Sequence, residues 1–447
     1  MAELMEFLDR HAPHCGPLTV GLVGLGKTNL ALLSALRGRK DTRTVLRASE
    51  RPDADLPCDE SYFGCDCYKN IHEDILFLSP TVHREHPELV RAARRGTLLT
   101  SDTEVYFEGG REGSHVVTGS DGKSSTTYIA SLLLSEEGRR VYPAGNYGRP
   151  FCTLPVGATA VAELSSFNLN YFYPRANSSV ITNISENHLN WHTDMAEYIE
   201  AKARAVIGAE RAALPADCEI SRSLLPRLCG FTLFSSRSDE RELLSLGAAH
   251  TAVLRGDTVY LDGLPILDTR YMRRSLYYDK INMTAALALT LGEVTAEGAH
   301  SAAAEYGGLP HRAELVRMHR GVEFINSSID TTPSRTAATL EALGRGVHII
   351  LGGRGKGLSP SPLFKPLSTY AKSLSLYGEA GEELYPVLLP LGIPTALYRG
   401  FDEAVEAASE PAAAGDTVLL SPAATAYGEF RDFTERGERF RTLVKKL

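Results

Sequence analysis

The chain has 447 residues, 43% of them apolar and 23% charged, with a formal net charge of −8. That length exceeds what one hydrophobic core supports, so several domains are predicted. A mildly acidic chain without runs of lysine or arginine excludes bulk nucleic-acid binding, and no apolar stretch reaches membrane-spanning length, so no membrane insertion is expected.

In chain order, the N-terminus carries Glu3, Glu6, Asp9 and Arg10 among few apolar residues and does not read as a signal peptide. Leu18 to Val23 reads as a strand, Gly24-Leu25-Gly26 as a turn and Thr28 to Arg37 as a helix. Strands at Thr44 to Arg47 and Asp74 to Leu78 and a helix at Pro87 to Arg95 complete a doubly wound α/β module. Its glycine turn has Asn29 at the third glycine position, with no acidic residue clearly ending the next strand. It fits a phosphate or uridine-type ligand better than a nicotinamide or flavin. The seven cysteines are scattered, and Cys65 and Cys67 lack a second pair at metal-ligand spacing, so reduced thiols of a cytoplasmic protein are expected.

The most informative stretch is His115-Val-Val-Thr-Gly-Ser-Asp-Gly-Lys-Ser-Ser-Thr-Thr127. A short apolar strand breaks into Gly119, Ser120, Asp121 and Gly122, then resumes as Lys123, Ser124, Ser125 and a helix through Leu134. Such a turn presents backbone N–H groups to a phosphate, with Lys123 on the terminal phosphates and the Ser124 hydroxyl on Mg²⁺. Val117 stands where the strict pattern has a further glycine. An ordinary strand-to-helix turn with a surface lysine is the plainer alternative.

Strands at Ala158 to Leu164 and Ser178 to Ile184 and a helix at Met195 to Gly208 follow. Between about 211 and 275 the pattern is irregular, and Thr258 to Leu261 and Leu264 to Leu267 suggest a small antiparallel insert. Helices at about 281–292 and 297–306 close this part, and Gly307-Gly308-Leu309-Pro310 reads as a hinge. Strands at Val322 to Asn326, Val347 to Leu351, Ser373 to Tyr377 and Thr417 to Leu420, with helices between, form a further α/β domain.

Two residues outside the turn have candidate chemistry. Glu163 ends an apolar strand, where an α/β sheet brings metal-binding and catalytic groups, although a glutamate before Ser165 also suits a helix cap. His188 stands in a loop after another apolar strand, as a metal ligand, a base or a structural histidine, and Lys202 follows fourteen residues later.

Thr118-Gly-Ser-Asp-Gly-Lys-Ser-Ser, Glu163-Leu-Ser-Ser-Phe, Asn183-Ile-Ser-Glu-Asn-His188, Lys202, Leu309-Pro-His-Arg312, Leu351-Gly-Gly-Arg-Gly-Lys356 and Leu420-Ser-Pro-Ala occur in this order. Together they resemble the Mur ligases, over essentially the whole chain. The resemblance implies a three-domain α/β protein. Its parts are an N-terminal Rossmann-like UDP-substrate domain at 1–102, a central P-loop ATPase-type parallel sheet with a small antiparallel insert at 103–308, and a C-terminal Rossmann-like amino-acid domain at 309–447.

The implied activity is a cytoplasmic bacterial, ATP-dependent amide ligase of peptidoglycan precursor synthesis, expected to be a monomer. Its substrates would be UDP-N-acetylmuramoyl-L-alanine and D-glutamate, joined through an acyl phosphate. By similarity Lys123 holds the β- and γ-phosphates, Ser124 and Glu163 bind one Mg²⁺, and His188 and a carbamylated Lys202 bind a second. Asn282 lies near the adenine and Arg312 reaches the ATP phosphates. Lys27, Thr28, Asn29 and Ser79 face the UDP diphosphate, while Asn146, Ser165 and Ser166 contact the muramoyl-alanine end. Lys356, Thr425 and Phe433 form the amino-acid pocket.

The chain departs from the family pattern at Asp121, Asp279 and Asn190, and in the last domain at Ser327, Ile329 and Ala426. These departures leave open a different amino acid or donor, or a nucleotide-sugar-binding homologue that does not ligate.

Overall fold

The run Leu18-Thr-Val-Gly-Leu-Val is apolar almost throughout, as a strand covered on both faces requires. It forms the centre of a five-stranded parallel sheet. In the computed structural model, which describes residues 2–13, 16–52, 56–108, 111–186, 191–344 and 346–447, that sheet runs Glu60–Phe63, Thr42–Ala48, Leu18–Val23, Ile75–Leu78, Leu98–Thr100 from edge to edge. Leu32, Leu33 and Leu36 of the helix Lys27–Leu36 pack on Val20, Leu22 and Phe77 to make its core. At the carboxyl end of Thr42–Ala48 the Arg47 guanidinium is buried against Glu73 (2.5 Å) and donates to the carbonyls of Cys67, Lys69 and Asn70. A buried pair satisfied on every side fastens the crossover loop to the strand instead of leaving a charge stranded.

A second sheet has nine strands, in the order Leu264–Asp268, Thr258–Leu261, His250–Arg255, Phe231–Ser235, Arg211–Pro215, Ala176–Ile181, Arg111–Thr118, Thr159–Glu163, Val141–Gly145. Seven are parallel. The first two form an antiparallel hairpin on the edge, which is the insert expected near residue 260. The stretch 211–275 is more regular than its pattern suggests: Arg211–Pro215, Phe231–Ser235 and His250–Arg255 extend the parallel sheet. Val117 lies level with Glu163 on one side and Val180 on the other, so the three strands end together beside the glycine turn.

These two sheets belong to one compact unit, Met1–Glu305; Tyr306–Leu447 is the other. The second unit has a six-stranded sheet in the order Glu314–His319, Val322–Asn326, Thr417–Leu420, Val347–Gly352, Ala371–Tyr377, Thr395–Tyr398, antiparallel only at its first strand. Asn326, Leu420 and Ile350 are in register, so the turns that follow these strands gather at one end of the sheet. Among the described residues, no helix is long and apolar enough to cross a membrane.

Candidate active site

The turn 119–122 joins Arg111–Thr118, an interior strand of the nine-stranded sheet, to the helix Lys123–Glu136. Gly122 caps that helix in the left-handed region (φ 77°), and a Cβ there would come within 2.5 Å of Asn282 Oδ1. The turn is held from behind. Ser120 N donates to Asn183 O and Asp121 N to Asn183 Oδ1, both at 2.9 Å, and the Thr182 hydroxyl donates to Asp121 O at 2.5 Å. The Ser120 hydroxyl donates to Ser185 O and shares a hydrogen bond with Tyr198. The Asp121 side chain is exposed, Ser124 and Ser125 are half-buried in the first helical turn, and Asn282 is buried with its Oδ1 3.5 Å from the Thr126 hydroxyl. The Lys123 ammonium donates to Gly119 O (3.0 Å) and Ser120 O (2.8 Å), curled over the turn.

Lys202 is the unusual member. Asp194 caps the helix Met195–Ile207 by accepting from Glu197 N, which sets Tyr198 and Lys202, four residues apart, on one face. The Lys202 side chain is 1% exposed; Nζ donates to Gly119 O at 2.6 Å and lies 4.6 Å from the Tyr198 ring centre. Burial, reinforced by the positive charge of Lys123, holds its amine well below the ordinary lysine range, while Asp121 and Glu163 pull the other way. Glu163 is also buried, and its Oε2 has no hydrogen-bond partner. Among the described residues no three His, Cys, Asp or Glu side chains gather to hold a metal. His188 and Asn190 lie outside the described residues.

A second strand–glycine–lysine turn lines a cavity of about 420 Å³. Gly24, Gly26, Lys27, Thr28 and Asn29 form one wall and Ser79 and Thr81 another, and Asn146, Asp102 and Asn168 are among the other lining residues. The Asn29 amide donates to the carbonyls of Val23 (2.9 Å) and Gly24 (3.0 Å), so it braces the turn from inside. Lys27 Nζ donates to Asn146 O (2.9 Å) and Gly148 O (3.1 Å), bridging the two sheets. Burial pushes its amine down, partly offset by the charge of Glu163. One carboxylate therefore bears on both lysines, Lys27 and Lys202. Ser165 caps the short helix Ser166–Leu169 in a capping box with Asn168, and the Ser166 hydroxyl is 2.8 Å from His192 Nε2. Asp102, which the sequence pattern does not single out, accepts from Phe151 N (2.7 Å) and Cys152 N (2.9 Å) beneath the cavity.

The remaining predicted residues belong to the second unit. Arg312 is exposed between His311 and Ala313, both with positive φ. Ser327 is buried, and its hydroxyl accepts from Ala313 N (3.0 Å), bracing that turn. Lys356 Nζ donates to the Thr331 hydroxyl at 3.2 Å, and the Thr425 hydroxyl to Arg354 O at 3.0 Å. Phe433 meets the His311 ring edge-on at 6.2 Å. Arg436, buried among the same turns, and Tyr198 were missed by sequence reasoning; only the four-residue spacing of Tyr198 from Lys202 could have signalled the latter.

Comparison with known proteins agrees with this geometry. The Mur ligase middle domain model matches residues 117–230. The UDP-N-acetylmuramoylalanine–D-glutamate ligase of Symbiobacterium thermophilum is 32% identical, over 95% of this chain and 97% of its own. The enzyme of the same name from Ruminiclostridium cellulolyticum is also 32% identical, over 96% of each. Among solved structures, the UDP-N-acetylmuramate-alanine ligase of Thermotoga maritima shares the fold with a TM-score of 0.56 at 17% identity, over 96% of this chain and 99% of that one. On full-length relatives at this identity, with both glycine–lysine turns and the carboxylate between them in place, the chain belongs to the Mur ligase family.

Proposed function

We propose that the protein uses ATP to join D-glutamate to UDP-N-acetylmuramoyl-L-alanine, as a monomer in the cytoplasm. Residues 1–102 would take the UDP end, 103–308 the ATP and 309–447 the amino acid. A carboxylate is a poor electrophile with a poor leaving group. Transfer of the γ-phosphoryl to the donor carboxylate gives an acyl phosphate and ADP. The amine then adds to the acyl carbon, loses a proton and expels phosphate. The protein's share is positioning and electrostatic stabilisation.

The observation that carries this reading is Glu163, whose charge bears on Lys27 beside the donor cavity and on Lys202 behind the phosphate turn. In this reading Gly119, Ser120, Asp121, Gly122 and Ser125 present the turn to ATP, Lys123 exchanges its carbonyl partners for the β- and γ-phosphates, and Asn282 and Arg312 complete the nucleotide site. Lys27, Thr28, Asn29 and Ser79 meet the donor diphosphate, and Asn146, Ser165 and Ser166 its acyl end. Lys356, Thr425 and Phe433 hold the incoming amino acid.

Ser124 and Glu163 would hold one Mg²⁺; the partnerless buried Oε2 of Glu163 is the kind of oxygen a hard cation requires. Bound there, magnesium would neutralise charge on the reacting phosphate. His188 and Lys202 would hold a second ion. An ammonium cannot be a ligand, but the buried environment of Lys202 favours the neutral amine, the form that reacts with CO₂ to give a carbamate with two oxygens.

The test is phosphate release from ATP with Mg²⁺ and UDP-N-acetylmuramoyl-L-alanine across a panel of amino acids. Release with D-glutamate alone supports the proposal. Release only with another amino acid or donor, or donor binding without turnover, defeats it.

A further inference from the structure

Trp191, the chain's only tryptophan, is half-buried between the two sheets of the first unit. On the side of the five-stranded sheet, His83 stacks on the indole, with ring centres 4.3 Å and planes 19° apart, and the indole N–H donates to Thr81 O at 3.3 Å. On the side of the nine-stranded sheet, the Phe167 ring centre lies 4.6 Å away. The next residue continues the grip: His192 Nε2 is 2.8 Å from the hydroxyl of Ser166, which precedes Phe167. An indole combines a large rigid apolar face with one polar handle, and both are engaged here.

The two segments it joins are walls of one cavity. Thr81 lines the cavity of about 420 Å³ from the loop after Ile75–Leu78, and Asn168, next to Phe167, lines it from the short helix Ser166–Leu169. Lys27 crosses from the five-stranded sheet to the carbonyls of Asn146 and Gly148, and Trp191 crosses in the opposite direction. Tyr171 also meets the loop, further along: its hydroxyl accepts from Arg84 N (3.2 Å) and donates to Glu85 (2.9 Å). That contact fastens the far end of the loop, whereas Trp191 holds the carbonyl of a residue in the cavity wall. The phosphate turn 119–122 is braced by other groups, Thr182, Asn183 and Tyr198.

We infer that Trp191 is a positioning residue of the donor site. Its stack with His83 and its contact with Phe167 set the distance between the Ser79–Thr81 turn, which meets the donor diphosphate, and Ser165 and Ser166, which meet the acyl end. A long ligand anchored at both ends loses affinity when its anchoring points drift apart, and a site held at the right spacing avoids that loss. This rests on the proposed ligase reading and adds the residue that fits the two halves of the donor site to one another.

The test uses the full-length protein and phosphate release with UDP-N-acetylmuramoyl-L-alanine, with thermal unfolding to check that each variant folds. Trp191→Ala should raise KM for the donor at least about tenfold and leave KM for ATP within about twofold. Trp191→Phe, which keeps a ring to stack, should stay within about threefold of wild type for the donor. His83→Ala should raise donor KM as Trp191→Ala does. His83 also lines an adjoining cavity of about 300 Å³, so the double variant separates direct contact from action through the indole. Its donor KM should stay within about twofold of the worse single variant. Tryptophan emission, which in this chain reports Trp191 alone, should move to longer wavelength in His83→Ala, because loss of the stack admits water to the indole.

A Trp191→Ala variant that raises both KM values alike would make the residue a general prop and overturn the inference. So would a phenylalanine variant as impaired as alanine, alanine effects at 83 and 191 that multiply, or unchanged emission in His83→Ala. If Trp191→Ala does not fold, the other two single variants decide: an unchanged donor KM in His83→Ala, or one raised about tenfold in Trp191→Phe, defeats the inference. Wild type that turns over no donor removes the ligase reading and the inference together. Normal wild-type turnover with an unchanged donor KM in Trp191→Ala removes only the inference.

Discussion

The first unit contains the same local device twice. Gly24-Leu-Gly-Lys-Thr-Asn29 and Gly119-Ser-Asp-Gly-Lys-Ser124 each follow a parallel strand, and each begins a helix with a lysine, Lys27 and Lys123. Their surroundings differ. Lys123 folds back on carbonyls of its own turn, and the turn is backed by Thr182, Asn183, Tyr198 and the buried Lys202. Lys27 instead reaches carbonyls on the neighbouring sheet, and its turn opens on a cavity of about 420 Å³. A tight, braced turn suits a terminal phosphate that must be held for reaction. An open turn with a bridging lysine suits the diphosphate of a large ligand that only has to be anchored. Local sequence supplies the lysine; what packs behind it decides its use.

The largest expected effects lie on the braced side. Lys123→Ala and Lys202→Ala should each lower kcat by roughly 10³-fold or more, the scale of losing a preorganised electrostatic contact at a reacting phosphate. Added bicarbonate should not restore Lys202→Ala, which has no amine to carbamylate. Steady-state phosphate release measures both, and near-normal kcat in Lys202→Ala would remove the lysine from the chemistry.

Two glycines sharpen the contrast. An added Cβ at Gly122 would meet Asn282 Oδ1 at 2.5 Å, and at Gly24 (φ 93°) it would meet Ser79 Oγ at 2.6 Å. Both positions are left-handed, so alanine costs strain of about 1–3 kcal/mol at either. Gly122→Ala should raise KM for ATP by roughly 10–100-fold with little change for the donor, and Gly24→Ala should do the reverse. Lys27→Met should raise donor KM about tenfold and spare ATP. If Gly24→Ala and Gly122→Ala raise the same KM, the two turns do not serve different ligands.

Both turns are legible in sequence because each sets a glycine break between an apolar run and a lysine-led helix, the local order that a strand-to-helix phosphate turn requires. Asn29 at the third glycine position reads as a departure, and its reason appears only in three dimensions, where the amide replaces the close packing a glycine would allow with bonds to Val23 and Gly24 carbonyls. Arg211-Ala-Ala-Leu-Pro and His250-Thr-Ala-Val-Leu-Arg are too short and mixed to declare themselves; they become strands because a sheet edge is already there to extend. Arg436 is the deeper miss. In a polar helix an arginine reads as solvated, and its burial is produced by turns from three distant strands folding over it. Ser165 and Ser166 read as ligand contacts, and their hydroxyls also cap a helix and meet His192.

The smallest effect in the intact protein contrasts the two regions through pH. Asp102 sits beneath the open cavity, and burial raises its carboxyl to about 6 from 3.8, against the pull of the Phe151 and Cys152 N–H groups. His115 lies in the strand that leads to the braced turn, and burial lowers it to about 4 from 6.5, against the pull of Glu293. Between pH 4 and 6 the folded chain holds the Asp102 proton that the unfolded chain has released, so this contribution falls as pH rises. Over nearly the same window the unfolded chain binds a His115 proton that the folded chain refuses, so that contribution rises with pH. Each is worth at most about 3 kcal/mol, and in the wild type they oppose one another. Asp102→Asn should therefore unmask stability that climbs from pH 4 to 6.5, and His115→Gln stability that declines from pH 4 to 6, read as denaturation midpoints across that range. Parallel slopes in the two variants would mean that at least one of these groups titrates normally, and that the floor of the cavity or the base of the strand is wetter than its packing indicates.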